Sequence, residues 1–342
     1  MLKKIFYILT VTLVTFKIFS YDVFFSEGLA PVKKDGDWGY IDKSGKVIID
    51  FQFEEARPFF NGLAIVRVGG VGYGVIDKKG NFRVNPDFAY ISEFSEGLAG
   101  IRLSSGSGFI DEDGKIVIKP IFWDVEAFSE GLAITLFKGK FKYIDKTGSY
   151  AFDKEFNEAH SFTEGLAAVR VDKDGYEEYG YIDKTGKFVI KNKDFKGAWE
   201  FKDGFAIVKI EDKFGYIDKT GKIVIEPIFN YANNFREGLA LVEINKKAGF
   251  IDKKGQFVIK PQFNYALNMK DGYACVLIGK KYGFIDKTGT FVIKPQFESA
   301  ENFCEGLALV SINNIYGFID ITGKFVIKPT YLLFGPPRYG NN

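Results

Sequence analysis

A block of about 34 residues occurs nine times in this chain, and no other feature restricts the possible folds as strongly. Its clearest form runs from Phe235-Arg-Glu-Gly-Leu-Ala-Leu-Val through Gly249-Phe-Ile-Asp-Lys-Lys-Gly to Phe257-Val-Ile-Lys-Pro-Gln-Phe263. The Gly that opens Gly-(Leu/Phe/Tyr)-Ala falls at 28, 62, 97, 131, 165, 204, 238, 272 and 306. Such a period means one small unit stacked on copies of itself, in an elongated or ring-like array. It also lowers the weight of single motifs. An Asp present nine times in one context is architecture before it is chemistry.

Each unit reads as three short strands, rich in β-branched and aromatic residues and bounded by turn residues. In the seventh unit these are Leu239–Ile244, Gly249–Asp252 and Phe257–Lys260. The turn between the second and third strands reads Asp-x-x-Gly in every copy, from Asp42 and Gly45 to Asp320 and Gly323. The Asp is placed to accept backbone amides of the turn, and the Gly to adopt the left-handed conformation of a type I turn with a bulge. A calcium loop would need alternating Asp/Asn ligands and a distal Glu, which this spacing lacks. A simple hairpin closed by that turn sets Tyr40 opposite Val47 and Trp38 opposite Ile49. Both faces are then largely apolar, as in a sheet covered on both sides. A proline follows the third strand in six units, at 86, 120, 227, 261, 295 and 329, and ends the ladder there. The connector that follows carries spaced apolar residues such as Phe229, Ala232 and Phe235, expected to plug the gap between neighbouring sheets.

The run Trp38-Gly-Tyr-Ile-Asp-Lys-Ser-Gly-Lys46, with its counterpart Tyr282-Gly-Phe-Ile-Asp-Lys-Thr-Gly289, resembles the WG-repeat (KWG-repeat) family. The resemblance spans residues 24 to 331. Trp occupies the aromatic-Gly pair once, at Trp38; Tyr or Phe replaces it in most other units, with Ser107 and Ala248 as weaker members. The resemblance implies a β-rich repeat module, found mainly in bacteria and often exported, with no reaction attached to the motif.

The expected fold is all-β: nine three-stranded β-meander units stacked face to face as a blade-like superhelical array, with a closed propeller-like ring as the alternative. Nine units exceed the usual four to eight blades, which favours the open form. In the ring, Val326–Tyr331 would complete the first unit, which has no third strand and proline before it.

Residues 1–20 read as a signal peptide: Lys3 and Lys4, an apolar stretch from Ile5 to Phe16, and a small residue at Ser20. The stretch is short for a membrane span. A single array over 21–335 and a tail over 336–342 follow. The expected address is secreted, periplasmic or cell-surface, with no stable membrane span after cleavage. Removing the leader removes three lysines and takes the net charge from +2 to −1. A near-neutral chain with interspersed signs has no footprint for nucleic acid. Cys275 and Cys304 fit either a disulfide or two buried thiols.

A catalytic site should break the repeat. The one histidine, His160, stands in a connector, and no phosphate loop, zinc spacing or nucleophile elbow is present. No catalytic, cofactor or metal residues are assigned. The departures cluster in units 4 and 5: Lys142 where eight units have Gly, the insertion Asp172–Glu178, Asn192 in place of proline, and an added Trp199. Loops inserted in repeat arrays often carry binding. The candidate binding residues are Trp123, Lys142, His160, Asp172, Asp174, Tyr176 and Trp199. The expected function is an exported, non-enzymatic, monomeric scaffold for a protein or glycan ligand. A structural envelope protein, or an enzyme with its site in units 4 and 5, are the alternatives.

Overall fold

The computed structural model describes residues 24–331, so the leader and the tail lie outside the described residues. Every named element is a β-strand, and the strands form nine small antiparallel sheets. Each sheet is one repeat, and the nine close into a propeller. Blade 7 shows the pattern: a two-residue lead strand Tyr231–Ala232, a first strand Ala240–Ile244, a second strand Lys247–Ile251 and a third strand Phe257–Phe263. Seven blades have four strands and two have three. The fourth strand is the connector itself. Its Phe is buried as the sequence reading requires, at Phe59, Phe128, Phe162, Phe201, Phe235 and Phe303. Two residues before each of those six, the chain has already paired with the first strand.

The second-to-third hairpin is tighter than a simple register allows. Tyr40 pairs with Ile49 and Ile41 with Val47, while Trp38 pairs with Phe53. The sequence reading is therefore corrected at this hairpin. The Asp42 amide bonds the Lys46 carbonyl and the Gly45 amide bonds the Asp42 carbonyl, which adds a bulge beside the turn. A second irregularity follows around Gly39, where an added Cβ would lie 2.7 Å from the Ile49 carbonyl oxygen. That close passage is why the aromatic residue is followed by Gly. The third strand forms the outer edge: Ile49 is 3% exposed, but Val47 is 38% exposed.

Stacking has two recurrent devices. The Gly of eight Asp-x-x-Gly turns lies beneath a third-strand apolar residue of the preceding blade, as Ile49 over Gly80, Ile225 over Gly255 and Ile293 over Gly323, and Phe152 takes that place over Gly186. Gly255 has φ +79°, and a Cβ there would lie 3.1 Å from Ile225 Cγ2. Replacing Gly255 by Val is expected to cost about 1–3 kcal/mol, from a strained backbone and a blocked blade contact. Removing the exposed Lys253 side chain, which pairs with Asp203 at 3.4 Å, is expected to cost about 0.5 kcal/mol. Chemical denaturation of both variants checks this, and equal losses would contradict the turn assignment.

The second device is an acid–lysine clamp. The residue before each Gly-Leu-Ala glycine adopts positive φ and is usually Glu. Its carboxylate accepts the glycine amide of the next blade and pairs with the lysine of that blade's Asp-Lys turn. Glu27 takes the Gly62 amide at 3.0 Å and Lys78 at 2.9 Å. The same clamp joins Glu96 to Lys146, Glu130 to Lys184, Glu164 to Lys219 and Glu237 to Lys287.

The ring closes through these same contacts. Glu305 of blade 9 pairs with Lys43 of blade 1 at 2.9 Å and accepts the Gly28 amide at 3.1 Å. Phe25 packs edge-on to Phe318, with centroids 4.9 Å apart, and Ile327 lies over Gly45. Of the two arrangements read from the sequence, the chain takes the ring. It closes differently from the route read there: Phe325–Tyr331 pairs with Ile315–Ile319 inside blade 9 and donates no strand to blade 1. Closure by packing and the clamp, without strand exchange, makes the seam an ordinary blade junction. Cys275 and Cys304 are both buried and free, which settles the disulfide question toward two thiols. Among the described residues no helix is long and apolar enough to cross a membrane.

Candidate functional site

The antiparallel meander gives the ring two unlike faces. First-to-second hairpins lie on one face; Asp-x-x-Gly and Glu-Gly turns lie on the other. Chain crossings between blades occur on the hairpin face, where the third strand ends and the next lead strand begins.

Lys142 explains the irregular blade 4. At its position the other eight blades present a Gly, and in each the third strand passes 2.4–2.8 Å from where a Cβ would stand. With a lysine there, no third strand forms, and only the bridges Phe141–Phe156 and Ile144–Tyr150 remain. The displaced segment refills the core, stacking Phe152 on Tyr143 at 5.5 Å. Lys142 Nζ pairs with Glu155 at 3.1 Å and lies 4.6 Å from the Tyr150 ring centroid. Its ammonium is engaged by its own loop.

The blade 5 insertion is a lengthened hairpin. Asp172 pairs with Glu177 and Lys173 with Tyr176, and Asp174-Gly175, both at positive φ, make the two-residue turn. Asp172 is held by Asn157 Nδ2 at 2.8 Å and lies 3.5 Å from Arg170 Nε. Arg170 also meets Glu177 and Glu158. Glu158 leads to His160, whose Nε2 is 3.3 Å from Glu158 and whose Nδ1 is 3.3 Å from Glu200 of blade 6. His160 and Asp172 thus belong to one charged network. Trp199 borders it: its carbonyl accepts the Tyr181 hydroxyl at 2.9 Å, and its ring packs on Phe214. Asp174 and Tyr176 stand beyond the network at the hairpin tip.

The connector position of His160 is occupied in blade 2 by Arg57, and the surroundings match. Arg57 is held by Glu55 of its own blade at 3.3 Å and by Glu93 of blade 3 at 3.4 Å. Burial raises the Glu93 carboxyl above its usual range against the pull of Arg57. His160 is therefore a cationic wedge between blades. Burial opposes its charge, but hydrogen bonds to Glu158 and Glu200 and their negative charges prevail, and its pKa is raised to about 10. The imidazolium donates from both nitrogens. Its stabilisation is complete below the ordinary value of about 6.5 and is lost as pH rises through about 10. Wild type should lose on the order of 1–3 kcal/mol over that window relative to His160→Gln. Parallel pH–stability curves for the two would contradict this.

Trp123 differs from all of these. It is 60% exposed, beside Ile121, on the hairpin face at the head of blade 4. The same position holds Asn230 in blade 7 and Asn264 in blade 8, whose side-chain oxygens accept amides of the neighbouring hairpin, from Asn245 at 3.1 Å and Gly279 at 2.9 Å. Tyr176, 78% exposed, rises on the same face from the adjacent blade.

Ten segments of the chain match the model of the WG containing repeat: 19–36, 38–71, 73–105, 108–141, 143–173, 179–214, 214–247, 249–282, 282–314 and 316–340. The chain belongs to the WG-repeat family. The eight matched WG segments between residues 38 and 314 start within a second strand and end near the next blade's first hairpin, so the sequence unit straddles two blades. Among curated proteins none matches this WG-repeat chain. Among solved structures, a crystal structure of the eukaryotic initiation factor is similar at TM-score 0.64 and 12% identity, covering 86% of this chain and 94% of that one. BamB from Moraxella catarrhalis gives TM-score 0.47 and 12% identity over 79% and 94% of the two chains. The computationally designed Ika8 protein gives 0.46 and 14% over 78% and 93%. At these identities the likeness to the initiation factor is one of fold.

Proposed function

We propose that this WG-repeat ring is an exported, non-enzymatic interaction scaffold that binds a protein or cell-envelope glycan through the hairpin face of blades 4 and 5. The observation that carries the reading is Trp123. Where blades 5, 7 and 8 hold an asparagine that caps a hairpin, this one exposes an indole. The exchange gives up a structural hydrogen bond and buries little in return. Exposed Trp and Tyr are the side chains that anchor protein partners and stack on sugar rings. Tyr176, carried outward on a hairpin two pairs longer than its neighbours', extends the same patch. Lys142, His160, Asp172 and Trp199 serve this patch from behind, by shaping and holding blades 4 to 6. Export rests on the leader over residues 1–20.

The test is a screen of cell-envelope glycans and surface proteins from the native host, scored by binding to wild type and to Trp123→Ala/Tyr176→Ala. The double variant should keep its thermal midpoint and lose the ligand. A ligand retained at full affinity would sink the assignment. Mass spectrometry of the native protein should find an N-terminus near Tyr21; an intact Met1 would overturn export.

A further inference from the structure

On the opposite face, three consecutive blades depart from the ring in the same way. The residue two before the Gly-Leu-Ala glycine is Ser26, Phe60, Ser95, Ser129, Thr163 or Cys304 in six blades, and Lys202, Arg236 and Lys270 in blades 6, 7 and 8. In blades 1, 3 and 4 the serine is structural: its hydroxyl donates to the next blade's Phe carbonyl, as Ser95 does to Phe128 at 2.6 Å. The three basic residues replace hydroxyls or apolar groups with long cationic side chains. They line a common groove of about 240 Å³, floored by the buried Phe235 and Met269.

This groove lies toward the axis. The third strands are the outer edges of the blades, so the connectors form the inner ones. Lys270 of blade 8 sits 4.6 Å from the ring centroid of Phe24 in blade 1, across the width of blade 9. Only residues near the centre of a ring reach non-adjacent blades.

The local acids do not neutralise the arc. Asp203 pairs with Lys253 at 3.4 Å and Glu237 with Lys287 at 2.9 Å, and Asp271 accepts the Glu305 amide at 3.1 Å. Among the described residues neither Lys202 nor Arg236 is held in an ion pair. Lys202, Arg236, Lys270, Lys253 and Lys287 set five cations against three carboxylates, Asp203, Glu237 and Asp271, a local charge of +2.

We propose that the arc of Lys202, Arg236 and Lys270 is a binding site for a small oxyanion group, a phosphate or sulfate ester borne by a sugar or a lipid headgroup. Arg236, in the middle, supplies the planar fork that matches two oxygens of such a group, and the two flanking lysines supply point charges. The groove is smaller than the roughly 300–1,000 Å³ of sites for drug-sized ligands, and so takes one headgroup and not a folded peptide. The site is on the face away from Trp123, so it stands or falls independently of the aromatic patch.

The experiment is titration calorimetry of the full chain at low ionic strength with sodium pyrophosphate and with glucose 6-phosphate. Co-sedimentation with phosphatidylglycerol vesicles runs in parallel, against phosphatidylcholine vesicles. One-to-one binding of at least one anionic probe is expected. Arg236→Gln should weaken it about tenfold and Arg236→Lys less, and the triple exchange Lys202→Gln/Arg236→Gln/Lys270→Gln should abolish it. Lys119→Gln, on the outer strand of blade 3, should change nothing. All variants should keep the wild-type thermal midpoint, because the altered side chains are surface groups. Retention on anionic vesicles without binding of the soluble probes would assign the group to a lipid, and the reverse to a free ester. No binding of any anionic probe by the wild type, or equal binding by the triple variant, would overturn the site.

Discussion

Truncation after Phe263, which removes blades 8 and 9, should destroy the fold and not merely shorten it. The cut uncovers Phe250, Ile259 and Phe263 on one side and Phe25, Val32 and Ile41 on the other, all buried in the closed ring. Each such side chain is stabilised by roughly 1.5–3 kcal/mol when buried. Six of them amount to roughly 10 kcal/mol, comparable with the whole stability of a typical domain. Seven blades cut from a nine-bladed ring also lack the wedge angle to meet. Size exclusion should show aggregates, and thermal melting should show no single cooperative transition. A soluble monomer that unfolds cooperatively is the result an open array would give.

The second large effect is expected at Arg57. Its side chain is buried between blades 2 and 3 and faces Glu55 and Glu93, with the Tyr73 and Tyr90 rings within 6 Å of its guanidinium. This junction lacks the acid–lysine clamp, since Asn61 stands at the acid position and Glu112 at the lysine position. Arg57→Ala leaves two carboxylates without their cation and should cost about 3–5 kcal/mol. Breaking the exposed pair at another junction, by Lys78→Ala, should cost about 0–1 kcal/mol. The Arg57 deficit should shrink at acid pH, where Glu93, already raised by burial, takes up a proton in the variant. Equal, pH-independent losses at Arg57 and Lys78 would refute the wedge.

Much of the fold was legible because the period, the Asp-x-x-Gly turn and the aromatic-Gly pair are local. The turn glycine declares a left-handed backbone in the sequence itself. The third-strand register was not legible, since a bulge at the turn and a second at Gly39 depend on backbone geometry. The connector's lead strand was hidden because two residues make no period. Closure left one trace: among the nine repeats, Lys43 has no preceding repeat to supply its clamping acid, and Glu305 has no following Asp-Lys turn. Matching those orphans predicts a ring. Of the candidate residues, Lys142 was visible as a lost glycine, but its meaning lay in the third strand it displaces. His160 was found as a unique residue, whereas its counterpart Arg57 was missed. Reading the repeats as columns would have found both, together with the Lys202, Arg236 and Lys270 series.

Closure itself is tested most directly by zero-length carbodiimide cross-linking followed by peptide mass spectrometry. Lys43 Nζ and the Glu305 carboxylate lie 2.9 Å apart across the seam, as do Lys287 and Glu237 within the array. A closed ring gives an intramolecular Lys43–Glu305 amide in the monomer band, at a yield like that of Lys287–Glu237. The internal cross-link without the seam cross-link, or a seam cross-link confined to dimers, would contradict the ring.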